Sequence, residues 1–390
     1  MNSISELVMG FGVYGVSALA ILMALNLAIA VWGIDLVLPH MDKHISLFII
    51  TPFIVSIANL TGPAFMGYYI FLVAALAACF AWMIYKSIGP LTDELRIRYP
   101  KKGHSPLYTM GTVLFAVLTF NVAYYFVVRA LGATTSTPSF STQELWQLIY
   151  GYAQASVWEE IVSRVLLIGI PLLLIDGLLK QRNPEHRTKK VWRYILGGGF
   201  TIGRKEAVLM VFSSAMFGAA HVFSWDLYKI LPAAIGGLAF AYLFLKLGLY
   251  ASVMMHFATD FMTVPLNVWP DSTGVASVVG LLVLAWLALG VPYLVLYFSK
   301  GMGWLLGRRI WPDLPPQEPK PMYAYYSAYV GPTPAGYPTS TVPQYAPPAP
   351  YAAQVPKAED PHAFVCQNCG GREAVYSDGG LVCKRCGTKR

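Results

Sequence analysis

The sequence predicts an all-α polytopic membrane protein with a small β module at its C-terminus. Three observations predict it. Only 12% of the residues are charged and the mean hydropathy is +0.52, where a soluble domain carries roughly 25% charge. Eight apolar runs are long enough to cross a bilayer, which takes about 20 residues each. Four cysteines stand in two close pairs near the C-terminus, at the spacing of metal ligands.

The runs lie at 7–38, 63–88, 107–131, 145–179, 207–223, 230–247, 249–268 and 275–298. A further apolar stretch, 45–60, is short and interrupted by Pro52, so it is expected to be a tilted span, a re-entrant half-helix or an interfacial segment. The first run is expected to stay as a span, because "MNSISE" contains a Glu and no Lys or Arg, whereas a signal peptide begins with a basic region. Cys79 is alone in an apolar run, and no disulfide framework is implied.

Positive charge orders the loops. "YKSIGPLTDELRIRYPKK" and "KQRNPEHRTKKVWR" are rich in Lys and Arg, while the connections at 130–143, 224–226 and 267–274 have none. The basic loops are expected to face the cytoplasm. The last span ends at "SKGMGWLLGRR", again basic, so the C-terminal tail is expected inside. The N-terminus is inside if 45–60 does not cross and outside if it does. The net charge of +8 does not point to nucleic acid, since most of the cations flank apolar runs, where positive-inside bias puts them.

The membrane domain covers 1–305. A stretch at 306–363, rich in Pro, Tyr and Ala with no helical or strand period, is expected to be a disordered, partly polyproline-like linker. In the final segment, 364–390, Cys366 and Cys369 form one C-x-x-C-G knuckle and Cys383 and Cys386 the other. Gly370 and Gly387 free the backbone so that paired thiolates converge on one ion. "EAVYSDGGLVCK" between them reads as a β-hairpin turning at 378–380. The segment resembles a zinc ribbon, with four sulfurs closing a structural zinc site. Four thiolates also suit iron, and zinc is preferred. What such a module binds is open between a cytoplasmic protein and nucleic acid, the latter disfavoured because Lys384, Arg385, Lys389 and Arg390 make only a small basic patch.

Ionisable groups inside spans are costly and point to function. In "WEEIVSRVLL", Glu159 and Glu160 are adjacent and face different neighbours, and Arg164 follows Glu160 by four residues, the order in which a Glu and a cation pair best on a helix. Glu160 is thus expected to be neutralised, and Glu159 free to act. "FGAAH" sets Phe217 and His221 on one helix face, and "HFATD" does the same for His256 and Asp260. A buried His is commonly only a hydrogen-bonded core residue, and Glu160 with Arg164 could be only a buried pair. Five such groups from three spans, however, can be sheltered together only inside the bundle.

E-E-x-x-x-R, F-x-x-x-H and H-x-x-x-D, in this order on successive membrane helices at about 146–268, resemble the CPBP family, which holds the type II CAAX prenyl proteases and related bacteriocin-processing or immunity proteins. The resemblance implies an intramembrane endopeptidase in which Glu159 and His221 activate a water. His256 and residue 260 would stabilise the oxyanion, with Glu160 and Arg164 bracing the site. A Glu sheltered from water makes a stronger base, which fits that role. The prenyl proteases usually carry Asn where this chain has Asp260. An ionised carboxylate would repel an oxyanion, so Asp260 is expected to be protonated, to orient His256, or to belong to a metal site. Two His and one or two carboxylates could hold a divalent ion. The glutamate-water reading is preferred because no H-E-x-x-H pair is present.

Two other classes compete. A catalytically silent membrane adaptor would use the polar cluster only to tie the bundle and would recruit a cytoplasmic partner through its cysteine module. A transporter is disfavoured, since no internal repeat is visible. The expected setting is a prokaryotic plasma membrane, with lipid and a membrane-associated, lipidated or apolar peptide as partners.

Overall fold

The computed structural model describes residues 2–50, 53–96, 104–133, 135, 143–186, 188–308, 310, 374–377 and 380–383. The chain divides into two units, Met1–Glu318 and Pro319–Arg390.

The first unit is a helical bundle. It opens with α1 (Asn2–Val37), followed by a hairpin of β1 (Ile45–Ile50) and β2 (Ile54–Leu60), then α2 (Pro63–Arg96) and α3 (Pro106–Ala130). Next comes one long helix in four parts: α4 (Leu145–Gln154), two π-helical stretches (Ala155–Glu159 and Ile161–Gly169) and α5 (Ile170–Arg182). Then follow α6 (Val191–Leu196), α7 (Arg204–Ala220), α8 (Val222–Trp225), α9 (Ile230–Lys246), α10 (Leu249–Asp260), α11 (Val264–Val268) and α12 (Thr273–Leu305).

Local chemistry sets these bounds. Ser105 caps α3 by accepting from the Tyr108 amide at 3.0 Å, and Pro106 takes the first helical position, where no N–H is needed. Ser272 caps α12 by accepting from the Val275 amide. Gly197 to Gly199 all have positive φ, and the Gly198 and Gly199 amides donate to the Phe244 and Lys246 carbonyls, both at 2.9 Å. They thereby satisfy the end of α9, and a Cβ at Gly197 would strike the Phe244 carbonyl oxygen.

Among the described residues, six helices are long and apolar enough to cross a membrane: Val8–His40, Pro63–Leu95, Pro106–Ala130, Leu145–Arg182, Leu227–Lys246 and Thr273–Leu305. Their outward faces leave Ile21, Leu281 and Phe298 exposed, as a lipid solvent requires. Two of the eight expected spans differ. The run at 207–223 forms α7, only 17 residues long. The run at 249–268 breaks after Asp260 into a 3₁₀ turn and α11, where Pro265 restarts the helix. Nearly all of α10 is buried, so its apolarity serves the bundle interior.

The stretch at 45–60 is neither a tilted span nor a re-entrant half-helix. It is an antiparallel hairpin, Ile45 opposite Leu60, with a bulge between Leu47 and Phe48. Its β1 strand lies on the π-helical segment: the Trp158 indole donates to the Phe48 carbonyl at 2.7 Å, and Gln154 donates to the Ser46 carbonyl at 3.2 Å. Pro52 falls outside the described residues.

Helix directions follow from cross-helix contacts. Tyr108 meets Tyr293 hydroxyl to hydroxyl at 2.6 Å, and Thr119 donates to the Leu287 carbonyl at 2.9 Å, so α3 and α12 are antiparallel. Tyr293 also donates to the Val8 carbonyl at 3.4 Å while Trp286 donates to the Gly15 carbonyl at 3.1 Å, so α1 and α12 are antiparallel too. The start of α1, the start of α3 and the end of α12 therefore share one end of the bundle.

Of the second unit, β3 (Ala374–Ser377) and β4 (Gly380–Cys383) are described, an antiparallel pair running from Ala374 opposite Cys383 to Ser377 opposite Gly380. Cys366, Cys369 and Cys386 and the Cys383 side chain, expected to ligate zinc, lie outside the described residues. So do residues 311–363 of the expected linker.

Candidate active site

The two adjacent carboxylates stand where the helix is wide. Glu159 ends the first π-helical stretch and Glu160 separates it from the second. A π-turn bonds i to i+5 and places more residues in each turn, a departure that concentrates at functional positions. Pro171, which has no N–H to give, falls where the helix returns to α geometry.

Glu160 is fully buried and engaged on both oxygens. Arg164 donates from Nε to its Oε2 at 3.0 Å, the Ser252 hydroxyl donates to the same oxygen, and His256 Nδ1 lies 3.0 Å from Oε1. Arg164 is itself fully buried. Its Nη1 donates to Ser213 at 2.8 Å, and its guanidinium lies over the rings of Phe217 and Phe240 at 5.4 and 5.8 Å. A carboxylate with these partners is held in place and, fully buried, is closed to a substrate.

Glu159 differs in every respect. It is half-buried, hydrogen-bonds to no described residue, and lines a cavity of about 670 Å³ together with His221, His256 and Asp260. His221 caps the C-terminal end of α7, with Nδ1 at 2.7 Å from the Phe217 carbonyl. A carbonyl only accepts, so Nδ1 carries a proton, and in the neutral ring the lone pair is on Nε2. His256 is clamped between carboxylates, with Nδ1 toward Glu160 and Nε2 at 3.4 Å from Asp260 Oδ2. Its ring stacks on Phe240, centroids 4.8 Å apart.

The six residues expected from sequence thus divide into two layers that touch. Glu159, His221, His256 and Asp260 line the cavity; Glu160 and Arg164 lie behind, joined to it through His256. Among the described residues no group of three or more His, Cys, Asp or Glu side chains is disposed to hold one.

Ser252, Ser213 and Phe240 belong to the arrangement and were not anticipated. The signal for Ser252 is positional only, since 252, 256 and 260 fall at successive steps of four on one face of α10. Ser252→Ala should cost about 1 kcal/mol, read as a lower melting temperature in detergent. An unchanged melt would remove the Ser252 hydroxyl from the support of Glu160.

Residues 141–262 match the family model of type II CAAX prenyl endopeptidase Rce1-like proteins. The match covers about a third of the chain and takes in all six of these side chains. No curated protein and no solved structure matches the chain. The endopeptidase-like segment begins just before α4 and ends at the turn after α10. The helices that close the bundle around it, α1 to α3 and α12, lie outside the match. This likeness is to a family of intramembrane peptidases, and it falls on the part of the bundle that holds the cavity.

Proposed function

We propose that the protein is an intramembrane endopeptidase in which Glu159 activates a water for attack on a peptide bond. The observation that carries this reading is the division of labour between neighbours: Glu160 is bonded on both oxygens, while Glu159 faces the cavity beside His221.

In this mechanism a water sits between the Glu159 carboxylate and His221 Nε2. Glu159 takes one of its protons as the oxygen adds to the scissile carbonyl carbon. Charge then develops on the former carbonyl oxygen, and a donor aimed at it in a site poor in water is worth far more than in bulk solvent. His256 supplies that donor from Nε2, its N–H shared between the oxyanion and the looser 3.4 Å approach to Asp260, while Glu160 holds Nδ1. The proton held by Glu159 passes to the amide nitrogen, the C–N bond breaks, and the carboxylate is restored.

Asp260 is read as the residue that orients His256, which its 3.4 Å approach to Nε2 supports. On that basis Asp260→Asn should keep most of the activity, because an amide oxygen still accepts from His256. Asp260→Leu should lose it by about 10-fold or more, the factor that 1.4 kcal/mol represents. Equal loss in both variants would mean that the carboxylate itself takes part.

The test is cleavage of a peptide with an apolar or farnesylated C-terminal segment by the purified protein in detergent, with Glu159→Gln as control and with and without a strong chelator. Cleavage lost only in the variant supports the glutamate-water mechanism. Loss in chelator as well would reassign His221, His256 and Asp260 to a metal, and no cleavage in any condition would favour the adaptor reading.

A further inference from the structure

Every connection that borders the cavity lies at one end of the bundle. Lys43 precedes β1, Gln143 precedes α4, Trp225 ends α8 and Lys229 precedes α9, and all four line the cavity. Lys43 and Gln143 are exposed to solvent there, so the cavity communicates with the outside at this end. His221 and Asp260 stand at the ends of α7 and α10 that point the same way.

The helix directions fix which loops occupy the opposite end. The starts of α1 and α3 and the end of α12 share it, as the Tyr108, Tyr293 and Val8 contacts require. That end carries Lys86 and Arg96 in the last turns of α2, Lys180, Arg182, Lys189, Lys190 and Arg193 between α5 and α7, and Lys300 and Arg308 at the end of α12. At the cavity end, the connections 38–62, 130–144, 221–229 and 268–273 contain only Lys43 and Lys229 as cations, with Arg129 beside them in the last turn of α3. They also carry Asp42, Glu144, Asp226 and Asp271.

Short basic loops stay on the cytoplasmic side of a membrane. The β1–β2 hairpin settles the remaining question of chain direction, since Ile45 pairs with Leu60 and the chain leaves the hairpin at the end where it entered. Resting on the peptidase reading for what is bound there, we infer that the cavity opens on the extracytoplasmic face and takes polypeptide that has already been exported. Its substrate class is then the membrane-proximal segment of a secreted or surface-anchored chain. A protein lipidated in the cytoplasm lies in the other leaflet, on the wrong side of the bundle.

The test labels single introduced cysteines in cells expressing the full chain with a membrane-impermeant maleimide, the sites being read by peptide mass mapping so that Cys79 and the tail cysteines do not interfere. Asp271→Cys, exposed between α11 and α12, should react in intact cells. Lys190→Cys, exposed before α6, should react only after permeabilisation. The reverse pattern overturns the inference. The same protein in right-side-out vesicles should cleave a peptide added outside, with Glu159→Gln inactive, and cleavage by inside-out vesicles alone would also overturn it. Labelling as expected with no cleavage in either orientation would keep the side of access and overturn the peptidase reading instead.

Discussion

Glu159→Gln is expected to abolish peptide cleavage, with a loss of about 10²- to 10⁴-fold in kcat, the usual contribution of a positioned general base. The melting temperature should scarcely move. Both halves follow from the same geometry. Glu159 hydrogen-bonds to no described residue, so an amide of the same shape breaks no bond in the folded state. Only the proton-accepting oxygen is lost. A variant that melts normally and still cleaves at the original rate would take Glu159 out of the mechanism. The neighbouring position offers the contrast, because Glu160→Gln must disturb Arg164, Ser252 and His256 at once.

The second large effect is on stability. Arg164→Met or Glu160→Leu should each destabilise the bundle by about 3–5 kcal/mol, since each leaves an unpaired charge where no water reaches. The double variant should recover a large part of that loss, because replacing both members of a buried pair by apolar residues is often neutral or better. Cleavage should not recover with it, as His256 Nδ1 would have lost the carboxylate that orients it. Melts in detergent and peptide assays on the same three proteins separate the two roles. Equal stability of all three would show that the pair does not hold the bundle, and recovered cleavage in the double variant would show that Glu160 does not position His256.

How much of this was legible in the sequence depended on which physical rule governed each segment. Long helices in lipid are apolar all round, so hydropathy placed α1 to α3 and α12 and bounded α3 closely, while α2 and α12 run on past the apolar stretch to Arg96 and Leu305. The polar cluster was legible for the opposite reason: carboxylates and imidazoles in an apolar run are expensive enough that their positions carry meaning. Hydropathy failed where an apolar segment is buried in protein instead of lipid. That is why α10 reads as a lipid-facing span, whereas α7, which leaves Val208, Val211 and Phe212 exposed, is simply short at 17 residues. Hydropathy failed again at 45–60, where the run of Ile and Val has high β propensity and Pro52 was read as a break in a helix. The π-helical turns had no signal in the sequence, since periodicity arguments presuppose 3.6 residues per turn. Ser252 lies one step back along the face that carries His256 and Asp260, but an uncharged hydroxyl in an apolar helix has too small a cost to mark it.

The contact between Asn26 and the turn after α10 sets the order in which the site can form. The Asn26 carboxamide donates to the Phe261 carbonyl at 2.8 Å across 235 residues of sequence. During synthesis, at roughly 5–20 residues per second, α1 enters the membrane about 10 to 50 s before its partner exists. Throughout that interval the Asn26 amide lacks the carbonyl it finally holds, although α1 already has α2, through Tyr69, to pack against. The site is therefore assembled late. A chain arrested before residue 261 would hold Glu159, Glu160 and Arg164 with the Asn26 amide still without that carbonyl.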